Sequence, residues 1–459
     1  MTGTTSSKRR GLRFGSRLLL LLAAVAVAGA ATMFGGVLSG SHAAAPEAAP
    51  AAVSPFAGRI PSLPAARDTA GVIRKLQAAL RAQPDDADSL TLLGLEYEQR
   101  ARETGDPSYY SKADGVLRDA LGLSPSSPLA ESGLASLALS RHRFREGLAL
   151  GRRAIGLGSR AGAPAAIQSR SWGIVGDALV ELGRYHEAFA AFDRMTTLEP
   201  GLAGYARISY ARELLGRPGA ALFPMRAAVN AGNGEPEPLA WTRVQLGKLY
   251  WSVGRIGSAR REYRRALTAF PGYVYAFDAL AQVEAASGRY AGALALERRA
   301  VEKIPLPQFV STLGDLLHVT GRDAAARRQY ALMEAIRRLL SANGVKTDLE
   351  LALFQVDHGI RLPEALRLAR TAQRDRPSID GDDVLAWSLE RNGRCAEALG
   401  HSQHALRLGT LDALKFFHRG MIERCLGHEQ AGRAWLRRAL RLNPHFSLLW
   451  APVARRLAR

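Results

Sequence analysis

The chain is 459 residues long and carries a net charge of +20; for compact folds that length implies two or three domains. Alanine, leucine, arginine and glycine dominate and strand signals are nearly absent, which excludes sheet architectures and predicts an all-α protein. Residues 1–42 hold five of the basic residues and no acid, so +15 remains on the rest, a surplus whose location matters more than its size.

At the start, Lys8, Arg9, Arg10, Arg13 and Arg17 precede an uncharged stretch from Leu18 to Pro46. Its most apolar part, residues 18–31, suits a signal-peptide core, and Ser41-His42-Ala43 before Ala44 is an acceptable cleavage context. Joined to Thr32–Leu38, the same stretch is long enough to span a bilayer. Residues 1–42 therefore read as a signal peptide or a single transmembrane anchor, with the rest exported in either case. No cysteine follows to carry a lipid. Residues 43–66 are Ala/Pro-rich, cannot bury a core, and read as a tether.

From residue 67 the chain repeats itself. Ala113, Gly147, Ala188, Ala221, Ala259, Ala293, Ala326, Ala365, Ala398 and Gly432 each stand in a helix-like stretch, separated by 34, 41, 33, 38, 34, 33, 39, 33 and 34 residues. A period in this range is the mark of a solenoid, which one domain can extend over a long chain. The clearest unit runs from Trp172 to Pro200. Its first helix carries Trp172, Val175, Gly176 and Leu179, Gly183 breaks it, Tyr185 plugs the turn, and Ala188, Phe192 and Met195 mark a second helix. Units starting at Leu246, Leu280 and Arg419 repeat this frame. Gly183, Gly216, Gly254, Gly288, Gly321, Gly393 and Gly427 fall where a left-handed helix cap is needed. Pro200, Pro271, Pro305, Pro377 and Pro444 stop second helices. The spacing sets Gly176, Gly247 and Gly314 against Ala188, Ala259 and Ala326 at the close approach of each pair.

The departures from the frame read as insertions: a turn segment at Arg102–Lys112, and extra residues near Gly156, Asn230 and Ser341. They are either tolerated surface loops or shapers of a binding face. After Pro444, residues 445–459 read as a closing helix whose Phe446, Leu449, Trp450 and Val453 cover the last repeat.

In spacing and residue type these units resemble the tetratricopeptide repeat family over residues 67–444. The resemblance implies a right-handed superhelical solenoid of about ten helix-turn-helix repeats that binds a protein or peptide partner and has no catalytic role. It implies that second helices form the convex wall, where Arg152-Arg153, Arg260-Arg261, Arg264-Arg265, Arg298-Arg299, Arg327-Arg328, Arg337-Arg338 and Arg437-Arg438 all fall. First helices then supply the groove, with Asp177, Glu181, Tyr210, Glu213, Trp241, Lys248, Trp251, Tyr275, Asp278, Asp315, His318, Glu350, Phe354, Asp357, Asp383, Trp387 and Glu390 facing inward. Of these, Trp241, Lys248, Trp251, Tyr275, Asp278, Asp315, Phe354, Asp357, Asp383 and Trp387 are the candidate partner-binding residues, with the tryptophans as anchors. The Lys/Asn pattern with which some family members clamp a C-terminal carboxylate is missing. Cys395 and Cys425 occupy places that the family's stacking makes neighbours, so an exported chain can oxidise them.

Other chemistry finds little support. Gly156, Gly158 and Gly162 follow a helix rather than a strand, against a dinucleotide site. His401, His404, His418, Cys425 and His428 lie near one another in sequence without needing to converge, so no metal or cofactor is expected. Basic clusters suit phosphate, but no nucleic-acid motif accompanies them. The expected function is a non-enzymatic interaction scaffold, exported or held at the membrane. Alternatives are an accessory subunit of an exported enzyme or transport complex, and a binder of anionic wall polymer or membrane surface through the basic wall.

Overall fold

The computed structural model describes residues 68–232 and 236–459. Those residues form twenty-two helices and no strand. After α1 (Thr69–Ala82) come ten antiparallel pairs: α2 (Ala87–Thr104) with α3 (Ser108–Leu123), α4 (Pro128–Ser140) with α5 (Phe144–Arg160), α6 (Ala165–Glu181) with α7 (Tyr185–Leu198), α8 (Leu202–Leu214) with α9 (Pro218–Ala231), and α10 (Pro236–Ser252) with α11 (Ile256–Ala269). The second five are α12 (Val274–Ala286) with α13 (Tyr290–Lys303), α14 (Pro307–Val319) with α15 (Asp323–Ala342), α16 (Asp348–Asp357) with α17 (Leu362–Asp375), α18 (Ile379–Arg391) with α19 (Cys395–Ala405), and α20 (Ala413–Cys425) with α21 (Glu429–Leu442). A short α22 (Trp450–Leu457) ends the chain. No helix among the described residues is long and apolar enough to cross a membrane; the expected leader, 1–42, and tether, 43–66, lie outside them.

Each first helix packs on its own second helix and most also pack on the next first helix, so the first helices form the inner layer of a curved array. The seven expected cap glycines all have φ between 69° and 81°. His142 takes the same left-handed place in the second pair, with φ 56°. Inside each pair the fit differs from the expected glycine-on-alanine contact. A Cβ on Gly176, Gly247 or Gly314 would run into the ring of Phe192, Tyr263 or Tyr330. Those rings stand four residues after Ala188, Ala259 and Ala326, one turn along the same face. The glycine is needed because the edge of a ring takes the space its Cβ would fill.

The insertions are mostly helix, not loop. The first lengthens α2 to 18 residues, the second lengthens α5 to 17, and the residues before Asn343 give α15 its 20. Added residues that keep a helical pattern gain a hydrogen bond each, which a surface loop does not supply.

The solenoid winds tightly enough to touch itself. The turns within the first five pairs meet the connections that follow the sixth to tenth pairs, in order. A Cβ on Gly105 would strike Ile304. Next along the seam, the Lys346 N–H donates to Arg141 O (3.1 Å), Nδ1 of His142 sits 2.6 Å from Lys346 O, and Arg143 Nε donates to Gly344 O at 3.2 Å. Then the Ile379 N–H donates to the Tyr185 hydroxyl at 2.7 Å while Arg376 pairs with Glu181. Thr410 donates to Leu214 O, and Asn443 Nδ2 to Trp251 O at 2.9 Å. One superhelical turn therefore closes after between five and six repeats, and its successor rests directly upon it.

Candidate functional site

The inner face separates into an open strip and a filled groove. The open strip crosses α8, α10, α12, α18 and α20, and it gathers Tyr210, Glu213, Lys248, Asp278, Asp380, Asp412 and Lys415, of which Lys248 is exposed and Lys415 buried. Lys248 keeps an exposed side chain, yet burial by the surrounding wall pushes its ammonium below the usual lysine range despite Asp278 and Glu213 nearby. That combination describes a group facing a narrow, water-reached interior. Asp278 accepts from Gln282 Nε2 at 3.1 Å and is raised, chiefly by burial. Lys415 bridges Asp380 (2.7 Å) and Asp412 (2.8 Å); burial opposes its charge, but these carboxylates outweigh it and hold the ammonium well above its ordinary value.

Glu213 is the strip's titrating member. Burial, and after it Asp412 across the seam, push its carboxyl up to about 7. A raised carboxyl stabilises the fold at low pH, and that contribution is lost as pH rises from about 4.5 through 7. Glu213→Gln should therefore melt close to wild type at pH 5 and exceed it by about 1–2 kcal/mol at pH 8, after discounting for partial exposure. Thermal melts at the two pH values read this directly.

The other expected groove residues are engaged. Trp241 is buried in the core of α10, and Trp251 is half-buried against the same cluster. Asp315 accepts from the Tyr330 hydroxyl (2.8 Å) and lies 2.7 Å from His358 Nε2; Phe354 is buried against both rings. Trp387 is fully buried, donating its indole N–H to Asp357 at 2.8 Å, with Asp383 beside it 3.0 Å from His418 Nδ1. What covers this region is the chain's own C-terminal segment, so Trp387 is not an anchor open to solvent. Asp177 likewise leaves the groove, held by Arg207 in a buried fork between α6 and α8. Of the ten candidates, Lys248 and Asp278 belong to the open strip, while Tyr275 is half-buried with its ring against Tyr273 and Phe309. Asp380, Asp412 and Lys415 escaped the sequence reading, although Asp412 is recognisable as the N-cap of α20, accepting from the Leu414 and Lys415 amides.

Cys395 and Cys425 come together with Cα atoms 6.0 Å apart, inside the range a disulfide requires. Ellman titration of denatured, unreduced protein should find no free thiol; two would mean the pair stays reduced. His401 and His404 both turn toward Asp382, whereas His418 faces Asp383 and His428 faces Glu423. Among the described residues no group of three or more His, Cys, Asp and Glu side chains is placed to hold a metal.

On the outer wall most of the paired arginines are exposed, Arg260 and Arg337 being half-buried. Two outer depressions are lined by arginine: one by Arg367, Arg370, Arg374 and Arg394, the other by Arg226, Arg243, Arg261 and Arg265 with Glu262.

Stacked helix pairs with an inner layer of first helices define a repeat scaffold. Tetratricopeptide repeat family models match residues 169–201 and 244–306, which are the α6/α7 unit and the α10–α13 stretch. These stretches are tetratricopeptide repeats, units whose domains generally bind protein or peptide partners. Two solved structures resemble it loosely. One is the APC/C hetero-tetramer Cut9-Hcn1, at 12% identity and TM-score 0.36, covering 84% of this chain and 92% of that one. The other is a tetratricopeptide repeat protein from Parabacteroides merdae, at 15% identity and TM-score 0.32, covering 56% and 97%. No curated protein matches the sequence.

Proposed function

We propose that the protein is a non-enzymatic scaffold, exported and either tethered at the membrane or released, which binds a basic partner segment on its inner strip. The observation that carries this reading is the strip's charge imbalance. Glu213, Asp278, Asp380 and Asp412 stand against three cations among the described residues, Lys248, Lys415 and, beside Asp380, Arg376, in a setting where partial exclusion of water strengthens each interaction. A segment carrying lysine or arginine restores the balance, and the exposed Lys248 marks where a chain can reach the strip. Export, with the leader either retained as an anchor or cleaved, rests on the basic flank and apolar stretch before residue 43.

A second reading is favoured by the arginine-lined depressions. There the outer wall holds an anionic wall polymer or membrane surface, and the scaffold positions an exported enzyme or transport complex.

Photo-crosslinkers placed singly at position 248 and at the exposed Arg298 separate the two readings in cells. An adduct from 248 alone, insensitive to moderate salt, supports the inner strip. An adduct from 298 alone, lost as ionic strength rises, moves the function to the outer wall.

A further inference from the structure

The segment after α21 does more than cap the last pair. Asn443 holds the Trp251 carbonyl of α10, Leu448 packs on the apolar cluster of α12 to α15, and Phe446 packs on Phe417 of α20 at 5.7 Å between ring centres. Trp450 stands edge-on to Trp387 of α18 (5.5 Å) and stacks on Phe417 (5.4 Å). Its indole N–H donates to Asp357 of α16 at 2.9 Å, the same oxygen that Trp387 uses. Arg391 lies 5.4 Å over both indole rings. Residues 443–450 thus run across the inner face of the second superhelical turn, where a bound peptide would lie. A cap would need only the last pair, α20 and α21, the second of which the chain end does touch where Arg437 Nε donates to Ala458 O.

The segment satisfies its site incompletely. Around the indole pair, His418 Nε2, Asp383 Oδ1 and Glu390 Oε2 are buried without a hydrogen-bond partner among the described residues. His418 is fully buried and Asp383 nearly so. Buried polar atoms left this way cost stability that a better-matched ligand would recover. Two of the three are carboxylate oxygens, and what each of these lacks is a donor.

We propose that residues 445–459 are a tethered ligand, and that a partner segment presenting a tryptophan beside lysine or arginine displaces them from the box formed by Asp357, Trp387, Arg391 and Phe417. The inference deepens the inner-face reading by naming a second contact and its chemistry, and it rests on that reading for its role in the cell.

The test uses the full chain and a fluorescein-labelled peptide of residues 445–459. Trp450→Ala should bind the peptide at least tenfold more tightly than wild type does, because the tethered copy no longer fills the box. A peptide with phenylalanine in place of the tryptophan should bind at least tenfold more weakly, having lost the donor to Asp357. Equal binding by both proteins, no binding by a folded Trp450→Ala chain, or equal binding of the phenylalanine peptide would overturn the proposal. If Trp450→Ala does not fold, hydrogen exchange on the wild-type chain decides. Saturating peptide should deprotect the amides of Trp450–Leu457, and unchanged protection would overturn it. Because the readout needs purified protein only, a tail that exchanges while position 248 captures nothing in cells would sink the inner-strip reading alone.

Discussion

Gly183→Asn should part the two superhelical turns, while the matched change Gly393→Asn should leave them together. Both glycines are helix caps with left-handed backbone, φ 69° and 75°. Asparagine tolerates that conformation better than other side chains, so the backbone cost at either place is about 1 kcal/mol or less. Their surroundings differ. A Cβ at Gly393 meets nothing within 4 Å, whereas at Gly183 it would lie inside contact distance of the Pro377 carbonyl oxygen, a backbone atom that cannot rotate aside. Moving that connection pulls Ile379 from the Tyr185 hydroxyl and Arg376 from Glu181, which is buried. Stranding a buried carboxylate of this kind costs on the order of 3 kcal/mol. The expected result is a larger radius of gyration in small-angle scattering and a lower melting temperature for Gly183→Asn, with Gly393→Asn near wild type in both. Identical behaviour of the two variants would mean that the seam is not closed in solution.

The same comparison explains what could be read from the residues. Helix pairs, caps and their number were legible because each is set by neighbours within one repeat period: a glycine, a small residue, an aromatic four places on. The seam was not, since it depends on small rotations summed over five repeats, and no single residue encodes that sum. With the curvature unknown, the inner residues could be assigned to a face but not to solvent or burial. Trp387 and Lys248 illustrate the point, standing one place after the small residue of their first helices, Ala386 and Gly247. One ends beneath the C-terminal segment and the other in the open strip. His142 carried the one available hint. A histidine where the other pairs place a cap glycine is strained unless something holds it, and what holds it is the Lys346 carbonyl of the next turn.

Glu297→Met should stabilise the protein, and by more as the pH rises. Glu297 stands four residues after Ala293, the place held elsewhere by Leu117, Phe192, Met225, Tyr263, Tyr330 and Leu436. It is fully buried, and neither carboxyl oxygen has a hydrogen-bond partner among the described residues. Burial, and after it Asp278, push its carboxyl up to about 10. At neutral pH the folded chain therefore keeps a proton that the unfolded chain, titrating near 4.5, has released. Holding that proton at pH 7 costs about 3 kcal/mol, at about 1.4 kcal/mol for each pH unit above the unfolded value. Methionine has similar volume, no charge to neutralise and enough freedom to fill the gap. Its advantage should be small near pH 4.5 and about 2–3 kcal/mol at pH 7 in urea unfolding. Glu297→Gln separates the two contributions: it abolishes the pH dependence but still buries an amide without partners, so its gain should be smaller than that of methionine. A Met variant that is less stable than wild type, or whose advantage does not change with pH, would show that Glu297 is charged and paired in the folded protein.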